Sequence, residues 1–313
     1  MISYYKTDPK GILHVIDKPE KGCWISVVQP DEAEQTRLKE EFHILPEFLR
    51  AALDEQESSY IDRDDEKKQT LVIVDYPEID EESKEIDSYI TLPIGVIFTE
   101  SAVFTICTRP NSTLDQMQNG KVKGLDTRYK TRFLLYVLLL ISQEYLLDLR
   151  KIERLNEATE QKLYRKMKNR ELMNIMILSK TLVYFSTSLK AEELTLQRIL
   201  RSRQIPMYES DRELLDDVLI EVRQGIEMCN IYSDINARTM DGFSNVINNN
   251  MNDVMKKLTV ITLVMSIPNM VYGFYGMNVT GLPIPHMWFP MVLSIILCAV
   301  AWLYFKHNSG YRS

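Results

Sequence analysis

The sequence predicts an α+β cytoplasmic domain joined through a long helical stalk to a two-helix transmembrane hairpin. Three observations carry that expectation. From Leu258 to Phe305 there is no Asp, Glu, Lys or Arg, a charge-free stretch of 48 residues. Between Asp211 and Ile267 there is no proline, which permits one very long helix. The first 120 or so residues hold short β-branched and aromatic runs alternating with charged, helix-forming ones.

In chain order, residues 1–124 are expected to form the mixed domain. "CWISVV" (23–28), "TLVIVDY" (70–76), "YITLPIGVIF" (89–98) and "AVFTICT" (102–108) read as strands. "DEAEQTRLKEEF" (31–42) and "PEFLRAALDE" (46–55) read as helices, the second with Pro46 in its first turn. "DRDDEKKQ" (62–69) reads as a solvated loop. Residues 125–209 are expected to be helical, with leucines and charges interleaved at three- and four-residue spacing. The apolar run "FLLYVLLLI" (133–141) is too short to span a membrane and reads as a buried core helix. Residues 210–257 form the stalk, with Ser210 as its cap and Glu213 completing a capping box. Run unbroken to Tyr275, the helix would be about 98 Å long at 1.5 Å per residue.

Two spans follow, 258–275 and 287–305, each close to the ~20 apolar residues that cross a bilayer core of about 30 Å. The connector 276–286, "GMNVTGLPIPH", holds two glycines and two prolines, which reverse the chain. Lys256 and Lys257 precede the first span, Lys306 and Arg312 follow the second, and the connector has no Lys or Arg. The positive-inside rule puts both termini, including the tail 306–313, in the cytoplasm of a cell-membrane protein. Trp288, Trp302 and Tyr304 lie near the ends of the second span, where rings favour the interface. The N-terminus "MISYYKTDPKG" lacks the apolar core of a signal peptide.

Composition excludes several classes. Before the charge-free stretch there are 35 basic and 44 acidic residues, a net charge of −9, so no nucleic-acid partner is expected. Cys23, Cys107, Cys229 and Cys298 are scattered and read as free thiols. His14 and His43 stand alone and read as structural. No phosphate loop, nucleophile–base pair or metal-ligand cluster is visible, so neither an enzyme nor a cofactor is expected.

Inside the first span the polar or small residues Thr259, Thr262, Ser266, Asn269 and Gly273 are spaced 3, 4, 3 and 4. The same spacing continues backward through Met255, Asn252, Asn248, Asn245 and Asp241. Such a repeat follows one stripe of a slightly supercoiled helix. A helix-packing face would account for the small and hydroxyl residues. A water-lined pore around a symmetry axis also accounts for Asn269 and the cytoplasmic run of Asn and Asp, because polar groups in lipid need partners or water.

Tyr275-Gly276-Met277-Asn278, ending the first of two C-terminal spans after a long helix, resembles the CorA-type magnesium transporters, as does "MNDVMKKLTVITLVMSIP" (251–268). The resemblance is strongest over about 240–306. It implies a homopentameric channel with a funnel-shaped cytoplasmic part, the first span lining the pore and the second facing lipid. It further implies that Gly276, Met277 and Asn278 form the selectivity loop, and that Asn252, Met255 and Leu258 form an inner constriction, with an acidic ring at Asp241. Mg2+ is then both the transported and the regulatory ion, with Co2+ and Ni2+ as possible co-substrates, and Asp216 and Asp217 are the candidates for a regulatory intersubunit site. Mg2+ sheds its water reluctantly, so a ring of Asn278 carbonyls would select the hydrated ion. Two features depart from the family: the outer loop has no acidic residue, and the basic tail is reduced to Lys306, His307 and Arg312. Asn278-Val279-Thr280 also matches a glycosylation sequon, read as accidental at a pore mouth. Zn2+ transport by a related branch, against which Met277 argues, and a non-conducting membrane-anchored scaffold are the alternatives.

Overall fold

The computed structural model describes residues 1–80, 86–166, 169–201, 205, 207–277, 284, 286 and 288–308. The chain divides into two units, Met1–Arg238 and Thr239–Ser313.

The first unit is organised around a seven-stranded sheet. Its strands are β1 (Ile2–Thr7), β2 (Leu13–Ile16), β3 (Cys23–Val28), β4 (Tyr60–Asp64), β5 (Gln69–Ile79), β6 (Tyr89–Phe98) and β7 (Ala102–Cys107). They lie in the order β2-β1-β3-β7-β6-β5-β4. Neighbours run antiparallel except β3 and β7, whose parallel pairing brings Trp24 beside Val103 and Val28 beside Cys107. A parallel pair needs a long crossover, and here α1 (Glu32–Glu40), α2 (Pro46–Ala52) and β4–β6 lie between the two strands in sequence.

Both faces of the sheet are buried at β3, β5, β6 and β7, which is why those strands read as largely apolar runs. Adjacent residues alternate between two cores. Ile25, Leu71, Ile73 and Phe104 pack with Leu38 of α1 and Phe48, Leu49 and Ala52 of α2. Trp24, Val72, Val74 and Val103 pack on the opposite side. That side is covered by α3 (Ser112–Gln118), α4 (Lys130–Lys166) and α5 (Asn169–Arg201), with the first part of α6 (Glu209–Tyr275) joining them. Helix α2 approaches the sheet closely at Gly95, where a Cβ would lie 2.3 Å from that of Ala52. Trp24 is fully buried between Tyr5 and Phe133, at 4.8 and 5.2 Å between ring centroids, and its indole N–H donates to Thr105 Oγ1 at 2.8 Å.

The expected run 133–141 is indeed core, with Phe133, Leu134, Leu135, Val137, Leu138 and Ile141 fully buried in α4. Two expectations need correction, and two strands are additional to those expected. β1 and β2 were not anticipated; β2 is an edge strand with Val15 73% exposed, so its apolar run carries no inward face to read. The stretch 62–69 is a hairpin rather than a loop. Asp62–Asp64 pair with Gln69–Leu71, and Asp64 Oδ1 accepts from the Lys67 N–H at 2.6 Å in the turn. Helix α6 starts at Glu209, before the expected Ser210 cap. Asp211 Oδ2 accepts from the Tyr208 N–H at 3.0 Å, and Asp211 is itself held by Arg132 Nε at 3.0 Å, while Ser210 Oγ accepts from Arg132. Arg132 thus orients the carboxylate that closes the first turn, a job Glu213 has no need to do.

Two carboxyls are buried between β5 and α5. Asp75 and Glu192 are 6% and 1% exposed, and neither has a cationic partner among the described residues. Burial pushes the Asp75 carboxyl up to about 6, opposed by hydroxyls of Ser188 and Ser59. Burial, reinforced by the nearby Asp75 charge, pushes Glu192 well above its usual range, while Ser142 Oγ donates to it at 3.4 Å.

The second unit holds the remainder of α6, from Thr239, and α7 (Trp288–Asn308). The first expected span ends where the helix does, at Tyr275, and the Gly276 N–H closes its last turn on Tyr272 O at 2.8 Å. The second runs past the expected Phe305 to Asn308, because Lys306 and His307 suit a helix C-terminus.

Candidate functional site

Pro268 sits inside α6 and has no N–H to donate to Val264 O. In water such a residue costs a helix about 3 kcal/mol. Here the freed carbonyl accepts from Cys298 Sγ of α7 at 3.5 Å, and a neighbouring helix satisfying a proline's orphan is how membrane helices tolerate one. The same pairing continues with Tyr272 Oη and Ser294 Oγ at 3.4 Å and with the rings of Tyr275 and Phe289 at 6.0 Å. The half-buried side chains on this part of α6 are Val260, Val264, Ile267, Pro268, Val271 and Tyr275, which share one face.

The polar stripe occupies the other face. At 3.6 residues per turn, Thr259, Thr262, Ser266, Asn269 and Gly273 lie about half a turn away from the α7-facing side chains. All five are exposed, as are Asp241, Asn245, Asn248, Asn252, Met255 and Leu258. Packing of the hairpin on itself therefore leaves the stripe free. Within it, the hydroxyls donate to their own helix: Thr259 Oγ1 to Met255 O at 2.8 Å, Thr262 Oγ1 to Leu258 O at 2.8 Å and Ser266 Oγ to Leu263 O at 2.7 Å.

At the end of the stripe, Gly276 and Met277 are exposed just beyond the helix, Met277 at 53%. Asn278, the residue expected to face the hydrated ion, lies outside the described residues, as does most of the connector. Asp216 and Asp217 lie on α6 in the first unit, exposed, beside the buried Leu215 and Val218. Among the described residues no three His, Cys, Asp or Glu side chains group to hold a metal ion, at Asp216 and Asp217 or elsewhere.

Residues 19–307 match the sequence profile of the CorA-like Mg2+ transporter protein family. The chain belongs to that family. It is 28% identical over 302 residues to the cobalt/magnesium transport protein CorA of Methanocaldococcus jannaschii, covering 92% of this chain and 90% of that one. Its fold matches the complete structure of the CorA magnesium transporter from M. jannaschii with a TM-score of 0.86 at 24% identity, over 98% of each chain. The full-length CmaX protein also matches, with a TM-score of 0.72 at 17% identity over 97% of this chain and 96% of that one. Membership of a CorA-like family makes the chain a membrane transporter of divalent cations rather than an enzyme.

Sequence reasoning found the stripe but missed its counterpart. Ser294 and Phe289 read from sequence only as parts of an apolar span, and Cys298 only as a free thiol, yet all three meet α6. A signal for Cys298 was present: Pro268 marks Val264 O as an orphan that some donor must meet.

Proposed function

We propose that the chain forms a homopentameric channel carrying Mg2+, with Co2+ and Ni2+ as further substrates, through a central pore lined by α6. The observation that carries this reading is the exposed polar stripe on the face of α6 opposite α7. Five copies would bring Thr259, Thr262, Ser266, Asn269 and Gly273 into rings, continued toward the cytoplasm by Leu258, Met255, Asn252, Asn248, Asn245 and Asp241. Gly276, Met277 and Asn278 form the outer entrance, where side-chain carbonyls accept hydrogen bonds from the water shell that Mg2+ retains. Two spans bring both termini to one side, and Lys256, Lys257, Lys306 and Arg312 at the span ends support the cytoplasm as that side. An inside-negative potential drives entry with about 2.3 kcal/mol per charge per 100 mV, twice that for a divalent ion. Mg2+ bridging Asp216 or Asp217 to a neighbouring copy closes the channel when the ion is abundant inside.

Mg2+ entry into proteoliposomes holding an internal Mg2+ indicator tests the reading. Under an inside-negative potential and low internal Mg2+, the native chain should admit the ion, and Asn278→Ala should lose entry while keeping its oligomeric mass. No entry by the native chain under those conditions overturns the magnesium channel, and Zn2+ entry in its place would assign the other branch.

A further inference from the structure

Where the two spans reach the cytoplasmic side, α6 and α7 enclose a groove of about 560 Å³ within the second unit. Its walls are apolar, formed by Val260 and Val264 from α6 and Phe305 from α7, and its mouth carries Lys257 and Lys306. These lysines are far apart in sequence but come to the same end of the hairpin because the helices run in opposite directions. Lys306 Nζ lies 4.9 Å from the centre of the Trp302 ring, which also lines the groove. Neither lysine has an ion-pair partner among the described residues, whereas Lys256 next door faces Asp253 at 3.7 Å. The result is two uncompensated ammonium groups and an indole at the rim of an apolar trough.

We propose that this groove binds an anionic phospholipid of the inner leaflet, with its phosphodiester between Lys257 and Lys306 and an acyl chain along Val260, Val264 and Phe305. The chemistry matches part by part. Basic residues at the cytoplasmic ends of membrane helices attract anionic headgroups, and an aromatic ring at that depth is at home in the interface. A soluble anion would use the lysines but leave the trough empty, and a zwitterionic lipid would fill the trough but gain little from paired ammonium groups. An apolar helix from a second copy would cover the trough but bury both charges without a counterion, which is costly. The inference rests on the two helices crossing a bilayer and is independent of whether any ion is conducted.

Native mass spectrometry of the full-length protein, released from micelles containing equal amounts of phosphatidylglycerol and phosphatidylcholine, tests it. The native chain should retain phosphatidylglycerol in preference. Lys257→Gln and Lys306→Gln should each weaken that retention roughly five-fold, and the double variant should retain the two lipids equally. Circular dichroism of the same samples checks that the variants keep their helices. Equal retention of both lipids by the native chain, or an undiminished preference in a folded double variant, overturns the assignment. So does a change in oligomeric mass on lysine substitution without any change in lipid, which would give the groove to a neighbouring copy.

Discussion

Helix α5 and the C-terminal part of α6 are both long and apolar enough to cross a bilayer. Half of the most apolar window of α5 is nevertheless buried within the chain, against 6% for α6 and 11% for α7. In α5 the burial has named partners: Thr181 Oγ1 accepts from the Tyr89 N–H at 3.1 Å, Thr195 Oγ1 donates to Ser59 O at 3.1 Å, and Phe185 meets Tyr145 and Tyr89 edge-on. In the second unit α6 turns one face to α7 and leaves Met251, Ile261, Met265, Met270 and Phe274 exposed. Equal apolarity thus means opposite things. The first unit completes its core within the chain, whereas the second leaves most of its apolar surface uncovered by it, the surface that the proposed pentamer and a bilayer would cover.

That contrast can be broken most sharply by truncation. Trp24→Ala should cost about 3–5 kcal/mol, since the fully buried ring has no solvent to fall back on. Phe274→Ala, at a site 53% exposed, should change the stability of the detergent-solubilised chain by less than about 0.5 kcal/mol. Denaturant titration followed by circular dichroism compares them, and similar losses would show that the second unit has an internal core after all. Arg132→Met comes next. It strands the Asp211 carboxylate, 2% exposed at its side chain, and should cost about 3 kcal/mol, with Arg132→Met/Asp211→Asn recovering part of the loss.

A pH series sharpens the comparison from inside the first unit. Asp75 and Glu192 hold their protons more tightly folded than unfolded, so above the ordinary carboxyl range the folded chain retains protons that the unfolded chain has lost. Stability therefore falls between the unfolded value of 3.8 and about 6 for Asp75, with Glu192 extending the loss to higher pH. Glu192→Gln should narrow the difference in thermal midpoint between pH 5 and pH 8 by a few degrees. An unchanged difference would mean that the pair does not carry the pH dependence. A smaller loss than at Trp24 or Arg132 is expected at Cys298. Alanine there should cost about 1 kcal/mol in the detergent-solubilised protein and serine should not, because only alanine leaves Val264 O without a donor. Equal losses would assign Cys298 to packing alone.

The sequence disclosed what periodicity and composition can carry. The strands at 23–28 and 89–98 were legible because burial on both faces writes an unbroken β-branched run. The stripe was legible because one helical face keeps its polar residues at three- and four-residue steps. Strand order was not, since the β3–β7 pairing joins Trp24 to Val103 and no local signal spans that distance. The α6 start was misplaced because its decisive partner, Arg132, lies on another helix. Nor could the Asp75–Glu192 pair be anticipated, for each carboxylate by itself looks like an ordinary surface charge in a −9 domain.

The hydroxyl bonds along the stripe have a further consequence. A Thr or Ser whose hydrogen points to its own backbone carbonyl has only lone pairs left to offer outward. Thr259, Thr262 and Ser266 all stand in that state, so their exposed oxygens can accept but not donate. A water molecule held by a cation turns its hydrogens outward, and one held by an anion turns its oxygen outward. In the proposed pore, a wall of committed hydroxyls would greet the first and have nothing for the second, distinguishing the sign of an ion without a single charged side chain between Leu258 and Tyr275.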